Sequence, residues 1–254
     1  MDTPFDDPGD AYAEYAEMAE FHELLMDPAW ARLRRHLDHA FGGLRPHQVI
    51  ADLGAGSGIG TLALTRCTAA EIIAVEPDRT MRSMLLARLS GAGELARVTV
   101  HPDAIPAVLA TLPERVDGVV AAHMLGHLPT TICTGLVGWI ADRLAPGGRA
   151  LLTTSPATAD AGTEAHGAAS SDTGDVVEEA RVGRHRYRAT HRPATTDHYD
   201  TLYEVLSDDD QVIHRHIATG SWRRVSAAGV IGLLPADVTG DEPEPGILVL
   251  RRHG

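Results

Sequence analysis

The residues best suited to chemistry lie around a short glycine-rich segment. An apolar run ends in Asp52, and Gly54, Gly56 and Gly58 follow before the first turn of a predicted helix. Glycine allows positive φ and lets a ligand approach the backbone, and a helix N-terminus presents unpaired N–H groups. A second apolar run ends in Glu76, about 20 positions after the loop, where a carboxylate can accept hydrogen bonds from two ribose hydroxyls. Together these features predict a site for a nucleoside cofactor.

Alternating strands and helices must position these residues. Apolar runs bounded by Gly, Pro and Asp predict strands at 48–53, 71–75, 97–101, 117–122 and 149–154, separated by helices at 58–67, 78–90, 104–111 and 131–144. Alternation on this scale is typical of a doubly wound, mostly parallel sheet. The predicted fold class is therefore α/β and Rossmann-like.

The chain changes character on both sides of that core. A helical pattern over 11–41 is interrupted at Asp27–Pro28, and a stretch rich in small and polar residues over 155–174 is typical of a surface loop. Alternating runs from Val182 to Ile217 predict an inserted antiparallel flap. A helix from Ser221, a strand over 230–239 and a terminal strand over 246–251 are expected next. The predicted division is an N-terminal helical lid (1–44), a cofactor-binding core (45–156), a loop and substrate flap (157–220), and a C-terminal helix with the last two core strands (221–254).

Composition narrows the function classes. The formal net charge is −13 and the chain contains no lysine, which excludes lysine Schiff-base chemistry and argues against binding to a nucleic-acid backbone. No apolar run reaches the ~20 residues that span a bilayer, and the acidic N-terminus lacks the pattern of a secretory signal. Cys67 and Cys133 have no metal-ligand spacing. We expect a cytoplasmic enzyme that needs neither metal nor membrane.

Five segments resemble, in order, the motifs of class I S-adenosylmethionine-dependent methyltransferases: Asp52–Gly58, Val75–Asp78, Pro102–Ala104, Val119–Leu128 and Leu144–Gly148. The resemblance covers about residues 45 to 156. It implies a seven-stranded sheet whose last strand is antiparallel and lies beside the fifth and sixth, with S-adenosyl-L-methionine as cofactor. The flap resembles that of small-molecule methyltransferases, especially those acting on amino sugars and other natural products.

The same resemblance implies a cofactor-binding set: Tyr15, Asp52, Gly54, Ala55, Gly56, Glu76, Pro77, Asp103, Ala104 and Ala121. In it, Asp52 and the glycine loop hold the methionine part, and Glu76 holds the ribose hydroxyls. Asp103 and the Ala104 amide hold the adenine edge, and backbone near Ala121 lies beside the sulfonium. Tyr15 belongs to an N-terminal helix that closes over the cofactor.

His123 and His127 are the candidate catalytic residues. They follow the fourth predicted strand, at the edge where open α/β sheets bind ligands, one turn apart. His123 could act as a base or an orienting group toward the acceptor. For His127, local packing and hydrogen bonding at a helix start is the competing interpretation.

Three alternative functions stay open at this point. A nicotinamide-dependent oxidoreductase would use similar features, but Ile59 stands where its third glycine is expected. A nucleic-acid methyltransferase of the amino-methylating kind would carry a Pro-Pro motif where Ala121–Met124 stands. A protein that binds the cofactor but catalyses a cyclisation or similar reaction is compatible with every motif. The expected partner is a small-molecule acceptor, and a homodimer is compatible with the sequence.

Overall fold

Two helices form the first described part of the chain. The computed structural model describes residues 18–156, 169–170, 175–193 and 198–254, so Tyr15 lies outside the described residues. Helix α1 is described over residues 18–25, and α2 covers Asp27–Phe41 with Pro28 in its first turn. The predicted interruption at Asp27–Pro28 is therefore confirmed.

The strands form two separate sheets. In chain order they are β1 (Val49–Leu53), β2 (Glu71–Val75), β3 (Val98–His101), β4 (Val116–Ala121), β5 (Leu144–Thr153), β6 (Ala169–Ser170), β7 (Val176–Val182), β8 (His185–Pro193), β9 (His198–Leu206), β10 (Val212–Ser221), β11 (Val238–Glu244) and β12 (Ile247–Arg252). The core sheet has seven strands in the order β11-β12-β5-β4-β1-β2-β3, and β12 is antiparallel to both of its neighbours. The doubly wound α/β fold and the antiparallel last strand are thus confirmed.

Helices cover both faces of the core sheet. Besides α1 and α2 they are α3 (Ile59–Cys67), α4 (Arg79–Ala92), α5 (Thr130–Arg143) and α6 (Ala227–Ile231). On one face, α2, α3 and α4 pack in a single buried cluster, to which α2 contributes Trp30, Leu33, Leu37 and Phe41 at helical spacing. On the other face, α5 and α6 share a second cluster. Both faces of the strands are buried, which explains their continuous apolar runs. No helix in these described ranges is long and apolar enough to cross a membrane.

The second sheet, which we call the flap sheet, is the predicted antiparallel insertion. It joins five strands in the order β10-β9-β8-β7-β6 between β5 and α6. The flap begins earlier than the alternation from Val182 suggested, because β7 ends there and pairs along its whole length with β8.

Two expectations for the C-terminal region are wrong. No helix begins at Ser221, which is the last residue of β10. The helix starts only after Ser226, whose Oγ accepts a hydrogen bond from the Gly229 amide at 3.1 Å. The strand expected over 230–239 is also wrong over most of its length, because Val230 is a buried residue of α6 and β11 begins only at Val238. Short apolar runs do not distinguish a helix from a strand, and here the cap decides.

The helix expected over 104–111 is also wrong in type. This segment forms a single 3₁₀ turn at Ala107–Ala110, directly after Pro106. A proline has no N–H to donate to the helical ladder, so a longer helix through this position is disfavoured. The turn buries Val108 and Leu109 in the same cluster as α5.

Candidate active site

The glycine loop after β1 leaves its backbone open at one position. Gly56 has φ 57°, and a Cβ there would meet only the His22 ring, at 3.8 Å, within 4 Å. Gly58 differs, because a Cβ there would lie 2.5 Å from Leu85 of α4. Gly58 therefore serves the packing of the loop on α4, whereas Gly56 can admit a ligand.

Glu76 joins this loop to the end of β2. Its Oε2 accepts a hydrogen bond from the Gly56 amide at 2.7 Å, and its Oε1 accepts one from the Asp78 amide at 2.8 Å. Arg82 donates to the carbonyls of Glu76 and Pro77, which fixes the turn into α4. Burial raises the pKa of Glu76 to about 7, against the lowering effect of the two amides. Each carboxylate oxygen keeps acceptor capacity for a further donor.

Asp52 is the second buried carboxylate at this edge. It is the last residue but one of β1 and is 2% exposed. Thr61, in the first turns of α3, donates its hydroxyl to Asp52 Oδ2 at 2.6 Å. Burial raises the pKa of Asp52 to about 6, and the Thr61 hydrogen bond opposes that rise.

The segment after β3 lies beside Glu76. The Glu76 amide donates to the His101 carbonyl at 3.0 Å, which places Asp103 and Ala104 next to the β2 end. The Asp103 amide donates to His101 Nδ1 at 3.3 Å, and the Asp103 side chain is 60% exposed. Asp52, the glycine loop, Glu76 and Asp103 therefore converge on one edge, as the sequence predicted.

His123 follows β4, whose last residue is the fully buried Ala121. Its φ of 55° is uncommon for a residue with a Cβ, and such strain is concentrated at functional sites. The His123 amide donates to Thr153 Oγ1 at the end of β5, at 2.6 Å. Its ring stands edge-to-face on Trp30 of α2, with centroids 5.7 Å apart.

His127 has a different environment from His123. It lies in a 3₁₀ turn over Leu125–His127 and is exposed. Its ring is perpendicular to that of Trp222, with centroids 4.8 Å apart, and the Arg223 amide donates to the Gly126 carbonyl at 2.8 Å. The structure thus brings His127 to the end of β10, and His123 to β5 and α2.

We call the face of the flap sheet that carries Tyr187 and Tyr203 its inner face, and helix α1 packs on this face. Phe21 lies 4.9 Å from Tyr203 and 5.4 Å from Tyr187, measured between ring centroids. Leu25, one turn later, belongs to the same buried cluster. His22, the residue after Phe21, is the one closest to the open side of Gly56. Helix α1 therefore lies between the flap sheet and the glycine loop.

Sequence reasoning missed a polar group on that same inner face. His191 on β8 contacts Thr201 Oγ1 on β9 at 2.9 Å and Glu178 Oε2 on β7 at 3.2 Å. Thr201 is fully buried, and the Glu178 side chain is 8% exposed. Strand alternation over 176–182 would have placed Glu178 inward, but the pairing across three strands is not readable from the sequence.

The sheet order, the glycine loop and the acid after β2 together define a Rossmann-like enzyme that binds a nucleoside cofactor. Residues 22–199 match the family described as "Methyltransferase domain", and the chain belongs to that family. It is a class I S-adenosylmethionine-dependent methyltransferase. No curated protein matches the sequence.

The solved structures of three methyltransferases share the fold of this chain. The CcbJ methyltransferase from Streptomyces caelestis is 16% identical over 96% of this chain and 100% of its own, with a TM-score of 0.67. DesVI from Streptomyces venezuelae is 15% identical over 94% and 98%, with a TM-score of 0.68. CalS10 from Micromonospora echinaspora, a SAM-bound amino pentose methyltransferase of calicheamicin biosynthesis, is 14% identical over 99% of both chains, with a TM-score of 0.63. At these identities the likeness is one of fold.

The residues present fit S-adenosylmethionine. Gly56 offers an open backbone, and Glu76 keeps acceptor capacity beside it. Ser57 is 1% exposed, and its Oγ has no hydrogen-bond partner among the described residues. A buried hydroxyl in that state calls for a partner from a ligand or from water. No three His, Cys, Asp or Glu side chains in the described ranges are grouped as a metal site.

Proposed function

We propose that this methyltransferase acts on a small molecule bound between the carboxyl edge of the core sheet and the inner face of the flap sheet. The observation that carries the proposal is that the flap sheet is attached at two places along that edge. At one, α1 connects it to the glycine loop; at the other, Trp222 and Arg223 contact Gly126 and His127. We infer that a cover fixed at both places suits a small acceptor better than a duplex.

The proposed roles of the cofactor residues come from the resemblance to the methyltransferase family, and the hydrogen bonds of Glu76 support its role in particular. Glu76 accepts hydrogen bonds from the two ribose hydroxyls with the acceptor capacity that the Gly56 and Asp78 amides leave. Asp52 and the loop of Gly54, Ala55 and Gly56 hold the methionine part. The proposed cofactor site also includes Pro77 beside the ribose, Asp103 and the Ala104 amide at the adenine edge, Ala121 near the sulfonium, and Tyr15 on the closing helix.

Bound S-adenosylmethionine supplies an electrophilic methyl group that needs only an acceptor atom in line with it. The protein's part is to orient the acceptor, exclude water and take up a proton where the acceptor must lose one. His123 is the proposed orienting group or base, because Thr153 and Trp30 hold its backbone and ring at the end of β4. We give His127 a secondary role at the acceptor's far side, where Trp222 positions it.

The substrate class that we propose is an amino sugar or a related natural product. CalS10, an amino pentose methyltransferase, aligns over nearly the full length of this chain, flap included. The net charge of −13 disfavours nucleic acid as substrate. A cytoplasmic location, a homodimer and the division at residues 44, 156 and 220 stay predictions.

Calorimetry and product assays test this proposal. We expect S-adenosylmethionine and S-adenosylhomocysteine to bind and NAD to give no heat. In an assay of S-adenosylhomocysteine release, amino sugars should be methylated, whereas the matching hydroxy sugars, DNA and RNA should not. Turnover of a nucleic acid alone would overturn the small-molecule assignment, and His123→Asn should reduce kcat without weakening cofactor binding.

A further inference from the structure

Helix α1 uses opposite sides for two different contacts. Phe21 and Leu25, one turn apart, bury their side chains against the flap sheet. Glu23 lies between them in sequence and forms an ion pair with Arg88 of α4. Residues one or two positions from each other point in different directions on a helix. The helix therefore packs on the flap sheet by its apolar side, and on its other side Glu23 pairs with the core.

Arg88 connects that carboxylate to the glycine loop. Its Nε donates to the Ser57 carbonyl at 3.0 Å, while its Nη2 pairs with Glu23. Ser57 is 1% exposed and directly follows Gly56, the open position of the loop. The planar guanidinium presents several N–H donors in a fixed fork, so one side chain serves both partners; an ammonium group cannot reproduce that geometry.

We propose that Arg88 is a positioning residue that links cofactor binding at the glycine loop to the docking of α1 and the flap sheet. The link runs from the loop carbonyl of Ser57 through Arg88 and Glu23 to the cluster around Phe21. A ligand that orders the loop strengthens the docking of α1, and docked α1 strengthens ligand binding by the same factor, because coupling free energies are reciprocal. The identity of the ligand rests on the proposed cofactor site; the link itself does not.

Two further atoms at this junction have hydrogen-bonding capacity that the described residues do not use. Ser57 Oγ and Glu23 Oε2 are both buried and have no hydrogen-bond partner in the described part of the chain. Both belong to the two residues that Arg88 joins. Buried polar atoms in this state call for a partner from a ligand or from water, and such a partner adds contacts at the junction that Arg88 holds together.

The first arm of the test uses ligand-free protein. Hydrogen exchange is compared between the natural chain, Arg88→Lys and Glu23→Gln, with Arg66→Lys, an exposed position at the end of α3, as the matched control. We expect exchange to rise about tenfold in Arg88→Lys at residues 19–25, 54–58 and 187–191 together, as one opening unit. Glu23→Gln should raise exchange at 19–25 and 187–191 and, because the coupling is reciprocal, to a smaller extent at 54–58, where Arg88 still donates to the Ser57 carbonyl. The control should match the natural chain. Unchanged exchange at 19–25 in Arg88→Lys would overturn the link.

The second arm adds S-adenosylhomocysteine. In the natural chain, protection should rise both at the loop, 54–58, and at the flap sheet, 187–191 and 201–205. In Arg88→Lys it should rise at the loop alone, and the Kd should increase about tenfold because docking no longer contributes. Equal protection of the flap sheet in both proteins would contradict the coupling. A natural chain whose loop ignores S-adenosylhomocysteine would instead refute the proposed cofactor site, and the ligand-free arm would still decide the role of Arg88.

Discussion

The core sheet and the flap sheet bury their residues in different ways. Helices cover the core sheet on both faces, and its central strands are apolar almost throughout. The flap sheet is covered by α1 on one face, and on the other it carries ion pairs such as Arg188 with Glu179 and Arg215 with Glu204. The proposed cofactor edge therefore belongs to a layer covered on both faces, whereas the proposed acceptor side is bounded by a sheet that α1 covers on one face. From this difference we infer that the two layers can open separately, with the contacts of α1 joining them.

Matched truncations in the two regions give the largest expected effect. Phe41 is fully buried against the core sheet, and Phe21 is 1% exposed against the flap sheet. We expect Phe41→Ala to lower the free energy of global unfolding by about 3–5 kcal/mol through lost transfer energy and a cavity. Phe21→Ala should release the flap sheet and leave the core transition nearly unchanged, because the core clusters do not contain it.

Denaturant unfolding followed by circular dichroism and by tryptophan fluorescence, to which Trp30, Trp139 and Trp222 all contribute, measures global stability. Hydrogen exchange at 187–193 and 198–205 measures release of the flap sheet, and it should rise strongly in Phe21→Ala and remain natural in Phe41→Ala under native conditions. If both variants lost equal global stability with single coincident transitions, the two sheets would form one cooperative unit and the comparison would fail.

Removal of the buried acid at the cofactor edge is expected to have the next largest effect. Glu76→Ala should weaken S-adenosylhomocysteine binding by about 1–3 kcal/mol, because charge-assisted hydrogen bonds to two hydroxyls are lost. Glu71→Ala, at the exposed opposite end of the same strand, is the control. Asp103→Ala should cost less than Glu76→Ala, since that side chain is 60% exposed and water can replace it. Calorimetry measures all three, and a reversed order would reassign the ribose site.

The raised pKa values of the same edge predict a pH dependence with a defined sign. Burial raises the pKa of Glu76 to about 7 and that of Asp52 to about 6. The folded, ligand-free protein therefore holds protons that the unfolded chain has released, so both groups favour folding most at low pH, and this contribution falls as the pH rises through about 4 to 7. Hydrogen-bond donors of the ligand prefer the ionised carboxylate, so the affinity for S-adenosylhomocysteine should rise as the pH rises.

We accordingly expect S-adenosylhomocysteine to bind about tenfold more tightly at pH 8 than at pH 6. Glu76→Gln should bind more weakly at pH 8 and lose most of this dependence, because its amide does not titrate. Calorimetry at the two pH values, in buffers of different ionisation enthalpy, also counts the protons released on binding. A natural chain whose affinity is flat over this range would show that Glu76 is already ionised before the ligand arrives.

The same contrast between the sheets explains which contacts could be predicted from the sequence and which could not. Asp52, Glu76 and Asp103 could be placed at one edge because each stands beside the carboxyl end of a strand, and the carboxyl ends of parallel strands meet at the same edge. The contacts of Arg88 and of His191 were not predicted, since they join residues 65 positions apart or lie across three strands. Local periodicity carries information about an element, whereas such pairings depend on the register and on the docking of α1. The same reason explains why β7 was missed. The helix predicted from Ser221 begins only after Ser226 for a local reason, because the cap at Ser226 was not recognised.

The smallest expected effect comes from the outer face of the flap sheet. Arg188 Nε lies 2.5 Å from Glu179 Oε1, and the two side chains are 31% and 38% exposed. A pair in this environment contributes less than about 1 kcal/mol, because water and salt screen it. Arg188→Gln should raise hydrogen exchange in β8 only slightly, and the difference should vanish near about 1 M salt, where the Debye length is about 3 Å. Glu179→Gln and the double variant complete a cycle that isolates the pair. A loss as large as that of Phe21→Ala would mean that the charged face, and not α1, holds the flap sheet together.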